Sequence, residues 1–284
     1  MNSNALKPNM SKFAVFIFAW GRPLFCDTYA TLRKCGYTGR IVLLLDDLDP
    51  SRDEYIGKYG YEDTYVFSKS FVAKRSDPMN NFGKLESTLY VENTMFDIAK
   101  DLGIDYFCAM CDDYYYFGHR GEFGAKRTSR LDDVFEVFVE YLINSPVKCI
   151  AFCQGGDNMG GFDETKTCKR KAMNSFICKT NEPFKFYGSM NDDVNMYVQN
   201  GIRGDIILTY LRFQLDQGDS QSEDGGLTDL YKTYGTYVKS FYTIMISPSS
   251  VRCRLMGESS MRLHHSISYK NTVPCIIDEK YRKA

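Results

Sequence analysis

Asp112 and Asp113 follow directly on the apolar run Tyr106-Phe-Cys-Ala-Met-Cys111 and precede the aromatic cluster Tyr114-Tyr-Tyr-Phe117. Anions this close repel, so one of them takes up a proton or a cation joins them. A divalent metal ion carrying a phosphate ligand is the functional solution; a solvated acidic turn is the plain one, and both stay open on these residues alone. Three more polar clusters hold comparable places: Trp20-Gly21-Arg22, Asp46-Asp47 and Asn191-Asp192-Asp193. A carboxylate after a central strand could hold a metal ion that neutralises a diphosphate leaving group, and Asp192 or Asp193 could deprotonate an acceptor hydroxyl or simply cap a helix.

Other polar groups could face an acceptor. Gln154-Gly155-Gly156-Asp157 offers hydrogen-bonding side chains on a backbone that a ligand can approach closely. Lys169-Arg170-Lys171-Ala-Met-Asn174 is the sharpest basic cluster, a solvated loop or a phosphate-backbone contact. His264 and His265 form an adjacent pair that is either structural or able to complete a carboxylate-bound metal site, and His119 beside Arg120 reads as a loop residue or phosphate contact.

These groups need elements to place them. Lys12 to Ala19 is a continuous apolar run closed by Trp20-Gly21-Arg22-Pro23, a buried strand entering a tight loop. A helix over Arg22 to Lys34 and a strand over Gly39 to Leu45 complete a βαβ unit, with polar residues at the strand ends where open α/β sheets bind ligands. The pattern continues with a helix at Asp53 to Tyr59, a strand at Thr64 to Phe67, an irregular stretch at Ser68 to Asn81 expected to be mobile, and a single helix over Lys84 to Leu102. Further on it predicts a helix over Leu131 to Ile143, a strand over Val147 to Cys153, a helix over Val194 to Asn200, and strands at Phe176 to Lys179 and Val238 to Ile246.

With 284 residues and 44% apolar content the chain has enough material for one large domain, and it contains neither a repeat nor a linker-like stretch. Lys and Arg number 35 against 36 Asp and Glu, so a nucleic-acid partner must be held by a local patch rather than a global field. The 10 cysteines lack paired CxxC spacing, which argues against zinc. Met1 to Ser11 is polar, and reduced cytoplasmic thiols are expected. No window suggests a membrane span. Tyr is abundant at 21 residues, enough to fill the core and also line a site where a sugar or base stacks.

Taken in order, Phe-Ala-Trp-Gly21-Arg22, Leu-Arg-Lys-Cys-Gly36-Tyr37-Thr-Gly39, Cys111-Asp112-Asp113-Tyr114, Gln154-Gly-Gly-Asp157, Arg170-Lys-Ala-Met-Asn174-Ser-Phe, Asn191-Asp-Asp-Val-Asn195, Gln221 with Gly225-Gly226, Gly235-Thr-Tyr-Val-Lys239-Ser-Phe and His264-His265 resemble the TET-associated glycosyltransferases of bacteriophages. The resemblance implies an α/β, GT-A-like fold with a Rossmann-like, mostly parallel central sheet flanked by helices. It implies a nucleotide-sugar-binding half over about residues 12–117 and an acceptor-binding and catalytic half over about residues 118–284. It further implies sugar transfer from a UDP-sugar to hydroxymethylated pyrimidines in phage DNA, particularly 5-hydroxymethylcytosine, in the cytoplasm of the infected host.

By the same resemblance Asp113 matches the last acid of the family's metal-binding triplet and Asp112 the middle one, while Cys111 stands where the first acid is expected. Asp113, Asp112 and His265 are then the expected ligands of Mn²⁺ or Mg²⁺. Trp20, Gly21, Arg22, Asp46, Asp47, Asn93 and Asp112 are expected at the nucleotide, and Asp193 with Asp192 as catalytic acids. Gln154, Gly155, Gly156, Asp157, Arg170, Lys171 and Asn174 are expected at the acceptor. Val91-Glu92-Asn93 stands where the family pattern has Ala-Arg-Asn, so Glu92 reverses a charge. Alternatives are the same chemistry on 5-hydroxymethyluracil, an already glycosylated base, or a protein or glycan hydroxyl, and, in another class, a catalytically silent DNA-binding relative.

Overall fold

The computed structural model describes residues 6–121, 123–154, 169–173, 175–217, 235, 237–256 and 262–272. In chain order the elements are β1 (Phe13–Phe18), α1 (Asp27–Lys34), β2 (Arg40–Asp46), α2 (Arg52–Tyr59), β3 (Thr64–Phe67), α3 (Lys69–Ala73), α4 (Leu89–Glu92), α5 (Met95–Asp101), β4 (Tyr106–Cys111), β5 (Tyr114–Gly121), β6 (Gly124–Arg127), α6 (Leu131–Ile143), β7 (Val147–Gln154), β8 (Ser175–Lys179), α7 (Asp192–Ile202), β9 (Ile206–Gln217), α8 (Val238–Ile246), β10 (Val251–Met256) and β11 (Arg262–Ile267). Nine strands make one sheet in the order β3-β2-β1-β4-β8-β7-β9-β5-β6, and β10 and β11 form a separate hairpin.

The unbroken apolar runs become strands buried on both faces, and their period of two divides the core into two layers. Ala14, Phe16 and Phe18 of β1, with Val42 and Leu44 of β2, face one layer capped by Val72, Leu89, Ile98, Val194 and Val198. Val15 and Ile17, with Ile41, Leu43 and Leu45, face the other, capped by Leu32, Tyr55, Phe135 and Leu142. The aromatic surplus is largely structural: Tyr55, Tyr90 and Tyr114 are fully buried, and Phe135 has ring neighbours at 5.0 Å (Phe13), 5.2 Å (Tyr37) and 5.9 Å (Phe152). α1 stops at Gly36, whose φ of +84° suits glycine and where any Cβ would lie 2.2 Å from the Ser129 carbonyl oxygen.

Strand direction gathers the polar clusters. β3, β2, β1 and β4 are mutually parallel, and Phe18 stands beside both Leu44 and Cys111. β8 runs antiparallel to β4 and to β7, so β7 points the same way as β4, and β8 begins at the edge where they end, with Ser175 beside Met110. Trp20 to Arg22, Asp46 and Asp47, Asp112 and Asp113, Gln154, and the segment of Arg170 and Lys171 therefore share one edge of the sheet, the carboxyl edge of its parallel strands.

Some elements differ from the sequence expectation. The helix expected over Lys84 to Leu102 is two short helices, α4 and α5, separated at Asn93 and Thr94. Val238 to Ile246, expected as a strand from its β-branched and aromatic content, is the helix α8: Ser240 and Thr243, three residues apart, form a buried face, and Thr243 Oγ1 donates to Asn195 Oδ1 at 2.7 Å. The stretch expected to be mobile contains α3, and its continuation is pinned: Gly188 N donates to Asp77 O, and the Asn80 amide donates to Ser189 Oγ and the Tyr242 hydroxyl. His119 lies within β5 with its ring edge against Phe213 rather than in a loop.

Candidate active site

At the end of β1 the chain turns through Gly21 (φ +67°), and two buried side chains fix that turn. Asp49 Oδ2 accepts from Gly21 N at 3.1 Å and the Tyr55 hydroxyl accepts from Arg22 N at 3.0 Å. Neither Asp49 nor Tyr55 was read from the sequence as part of the site; the signal was there in Asp46-Asp47-Leu48-Asp49, three acids in one strand-end turn. Trp20 is 38% exposed and lies over the Lys69 ammonium, 4.4 Å from the ring centroid. The same ammonium meets Asp46 Oδ2 at 2.8 Å in a buried pair, and Asp47 Oδ1 accepts from Lys69 N at 2.9 Å. Asp46 and Asp47, expected at the nucleotide, thus hold Lys69 beneath Trp20. Burial raises the Asp46 carboxyl, with Lys69 opposing.

The turn from β4 into β5 is clamped from α1. Thr28 Oγ1 donates to the Cys111 carbonyl at 2.7 Å and accepts from Tyr114 N at 2.8 Å, while Thr28 N donates to the Asp112 carbonyl. Arg22 Nη2 pairs with Asp112 Oδ1 at 2.7 Å. Burial nevertheless pushes Asp112 up to about 7, with Asp113 adding repulsion that Arg22 only partly offsets. Asp112 Oδ2 is buried and has no hydrogen-bond partner among the described residues. A buried carboxylate with an orphaned oxygen, next to a second aspartate, fits a hard divalent cation.

Asp192 and Asp193 open α7 after Asn191, which holds a left-handed φ of 61°. Asp192 is buried and fully engaged: Thr88 Oγ1 donates to its Oδ2 at 2.5 Å, Asp193 N donates to its Oδ1 at 3.0 Å, and the Glu92 carboxyl hydrogen-bonds it. Glu92, at 1% exposure, is pushed far up by burial and then by Asp192 and Asp193, which favours its neutral form. Asp192, expected as a catalytic residue beside Asp193, thus has both carboxylate oxygens engaged within the protein. Asp193 remains half-buried; burial and Asp192 lift it to about 6 against the opposing charges of Lys171 and Lys239. Cys111 joins the two acid groups in space: burial, then Asp113, Asp112, Glu92 and Asp192, push its thiol up.

His265, expected as a metal ligand, has a different environment. Its Nε2 lies 3.1 Å from Lys171 Nζ and its Nδ1 3.2 Å from Asn191 Nδ2. Burial, Lys171, His264 and Lys239 all hold it neutral. A lysine ammonium at the outward nitrogen takes the place a metal ion would need. Among the described residues no group of three or more His, Cys, Asp and Glu side chains is placed to hold a metal ion. Asn93, expected at the nucleotide, has both ends of its amide on the Phe186 backbone, accepting at 2.9 Å and donating at 3.1 Å. The Gln154 side chain hydrogen-bonds that of buried Tyr114 at the same sheet edge. Gly155, Gly156, Asp157 and Asn174, like Gln221, Gly225 and Gly226, lie outside the described residues.

A mixed α/β sheet with its carboxylates, a tryptophan and an arginine gathered on the carboxyl edge of the parallel strands has the architecture in which open α/β sheets bind their ligands. The sequence profile of the TET-Associated Glycosyltransferase family matches residues 13–226, and the chain belongs to that family. It is a glycosyltransferase. No curated protein matches it. Among solved structures it is similar to glucosyl-3-phosphoglycerate synthase from Mycobacterium tuberculosis. In the complex with Mn²⁺, uridine diphosphate and phosphoglyceric acid the TM-score is 0.46 at 9% identity, over 90% of this chain and 86% of that one. In the complex with Mn²⁺ and UDP-glucose it is 0.47 at 7% identity, over 91% and 90%.

Proposed function

We propose that the protein transfers a sugar from a UDP-sugar to the hydroxymethyl oxygen of 5-hydroxymethylcytosine in DNA, in a single inverting displacement assisted by Mn²⁺ or Mg²⁺. The observation that carries this reading is the proximity of two differently tuned acid groups: Asp113 and Asp112 of one and Asp192 of the other all act on the Cys111 thiol. In the first, burial raises Asp112 to about 7 despite Arg22; in the second, burial and Asp192 raise Asp193 to about 6 against Lys171.

Asp113 and Asp112 would hold the divalent ion, which supplies positive charge to a diphosphate leaving group. Trp20 presents a ring face for the uracil, and the turn fixed by Asp49 and Tyr55 sets Arg22 against Asp112. Asp193 accepts the proton of the acceptor hydroxyl as that oxygen attacks the anomeric carbon. Asp192, bonded by Thr88 and Glu92, keeps α7 and Asp193 in place. Gln154, Arg170 and Lys171 face the acceptor side of the same edge.

Incubation of the purified protein with hydroxymethylcytosine DNA, a panel of UDP-sugars and Mn²⁺, followed by mass spectrometry of digested nucleosides, is expected to reveal a hexose or pentose adduct. Absence of any adduct with every donor overturns the acceptor assignment. Adducts on hydroxymethyluracil DNA alone would move it to that base. Asp113→Ala should abolish metal-dependent transfer, and unchanged activity would relocate the metal site.

A further inference from the structure

The hairpin of β10 and β11 has no part in the chemistry above. Its two strands carry Arg252, Arg254, Arg262, His264 and His265 and no carboxylate, in a chain of formal net charge −1. Arg254 stands opposite His264 and Arg252 opposite Ser266, so the register puts both arginines on one face of the ladder. Arg252 and Arg254 are exposed.

A cleft of about 360 Å³ opens between this hairpin and the segment entering β8, lined by Lys171, Arg254, His264, His265, Ser266 and Tyr269, among others. Its polar lining consists of an ammonium, a guanidinium, imidazoles and hydroxyls, without an acid. That inventory suits an anion with several acceptor oxygens, and a guanidinium fork matches phosphate geometry. The cleft also abuts the proposed base: Lys171 lines it and lowers Asp193, and Asn191, two residues before Asp193, meets His265.

We propose that this cleft holds a backbone phosphate of the acceptor strand next to the nucleotide being glycosylated, with Arg254 and Lys171 contacting the phosphate oxygens. It rests on the reading of DNA as acceptor and assigns the hairpin the local basic patch that a nearly neutral chain needs for such a partner. The diphosphate of the donor offers similar chemistry, so the test carries an arm for each source.

Arg254→Ala and Arg254→Glu alter an exposed side chain, and thermal unfolding followed by circular dichroism would verify that both variants fold. Anisotropy of labelled oligonucleotides with unmodified cytosine, single-stranded and duplex, over a salt series measures backbone binding without requiring any transfer. Arg254→Ala is expected to weaken binding about three- to tenfold and to lower the slope of log affinity against log salt by about 1, with a larger loss for Arg254→Glu. UDP affinity by calorimetry should stay unchanged. The proposal is overturned if the wild type shows no salt-dependent affinity for DNA, if both variants bind DNA like the wild type, or if UDP affinity falls with them, which would give the cleft to the donor. Loss of DNA binding in the variants, in a protein that forms no adduct on hydroxymethylcytosine, would uphold the cleft and sink the acceptor base instead.

Discussion

The acids of this site look alike in sequence and differ in what surrounds them. Asp193 has its carboxyl raised to about 6, so transfer should fall as pH drops through about 6, and the acid limb of the kcat profile is the measurement. Asp193→Asn should lower kcat by roughly 10²- to 10⁴-fold while UDP affinity holds. Glu92 is raised far above its ordinary 4.5, so the folded protein binds a proton there that the unfolded chain releases. Its contribution is fully present below about 4.5 and declines as pH rises toward the folded value. Glu92→Gln keeps a donor for Asp192 without titrating, so its unfolding temperature should exceed the wild type's by a margin that widens from pH 5 to pH 8. The departures at Cys111 and Glu92 are electrostatic neighbours. Together a neutral thiol and a protonated carboxyl conserve the charge of the acid and arginine in the family pattern. Cys111→Asp with Glu92→Arg should therefore unfold later than the sum of the single changes predicts, by about 1 kcal/mol or more in a double-mutant cycle.

Elements carry the positions of these groups with uneven legibility. The parallel strands and their polar ends were readable because continuous apolar runs have few alternatives, and the edge location of Trp20, Asp46, Asp112 and Gln154 follows from them. The helix α8 was not readable: its residues favour a strand, and contacts distant in sequence, among them Thr243 with Asn195 and Asn191, hold it as a helix. The inward turn of Asp46 and Asn93 was equally hidden, since Lys69 and the Phe186 backbone are distant in sequence. Thr243→Val removes the hydroxyl that accepts from Asn191 and donates to Asn195, and should destabilise the fold by about 1–3 kcal/mol in denaturant unfolding. On the opposite layer, Phe135→Ala should cost about 3–5 kcal/mol by the same measurement, because its ring is fully buried among aromatics.

At the scale of the whole molecule, neutrality overall and concentration of charge at one sheet edge go together. Among the described residues no helix is long and apolar enough to cross a membrane. A divalent ion binding beside Asp112 competes with the proton that burial favours there, so metal affinity measured by calorimetry should rise as pH passes upward through about 7. The sheet order has one more consequence. β4 and β5 are joined by Asp112 and Asp113 alone, yet β8, β7 and β9 lie between them in the sheet. Three intervening strands would set them about 19 Å apart in a flat sheet, whereas three Cα steps reach about 11 Å. β9 supplies the way back: its pairing with β7 shifts register between Tyr210 and Gln214, β5 pairs only with the part beyond Tyr210, and the two aspartates stitch that part to β4. The corner that holds the acids is then a product of one irregular strand and a two-residue link, so lengthening that link by even a few residues would let the corner open while leaving every acid in the chain.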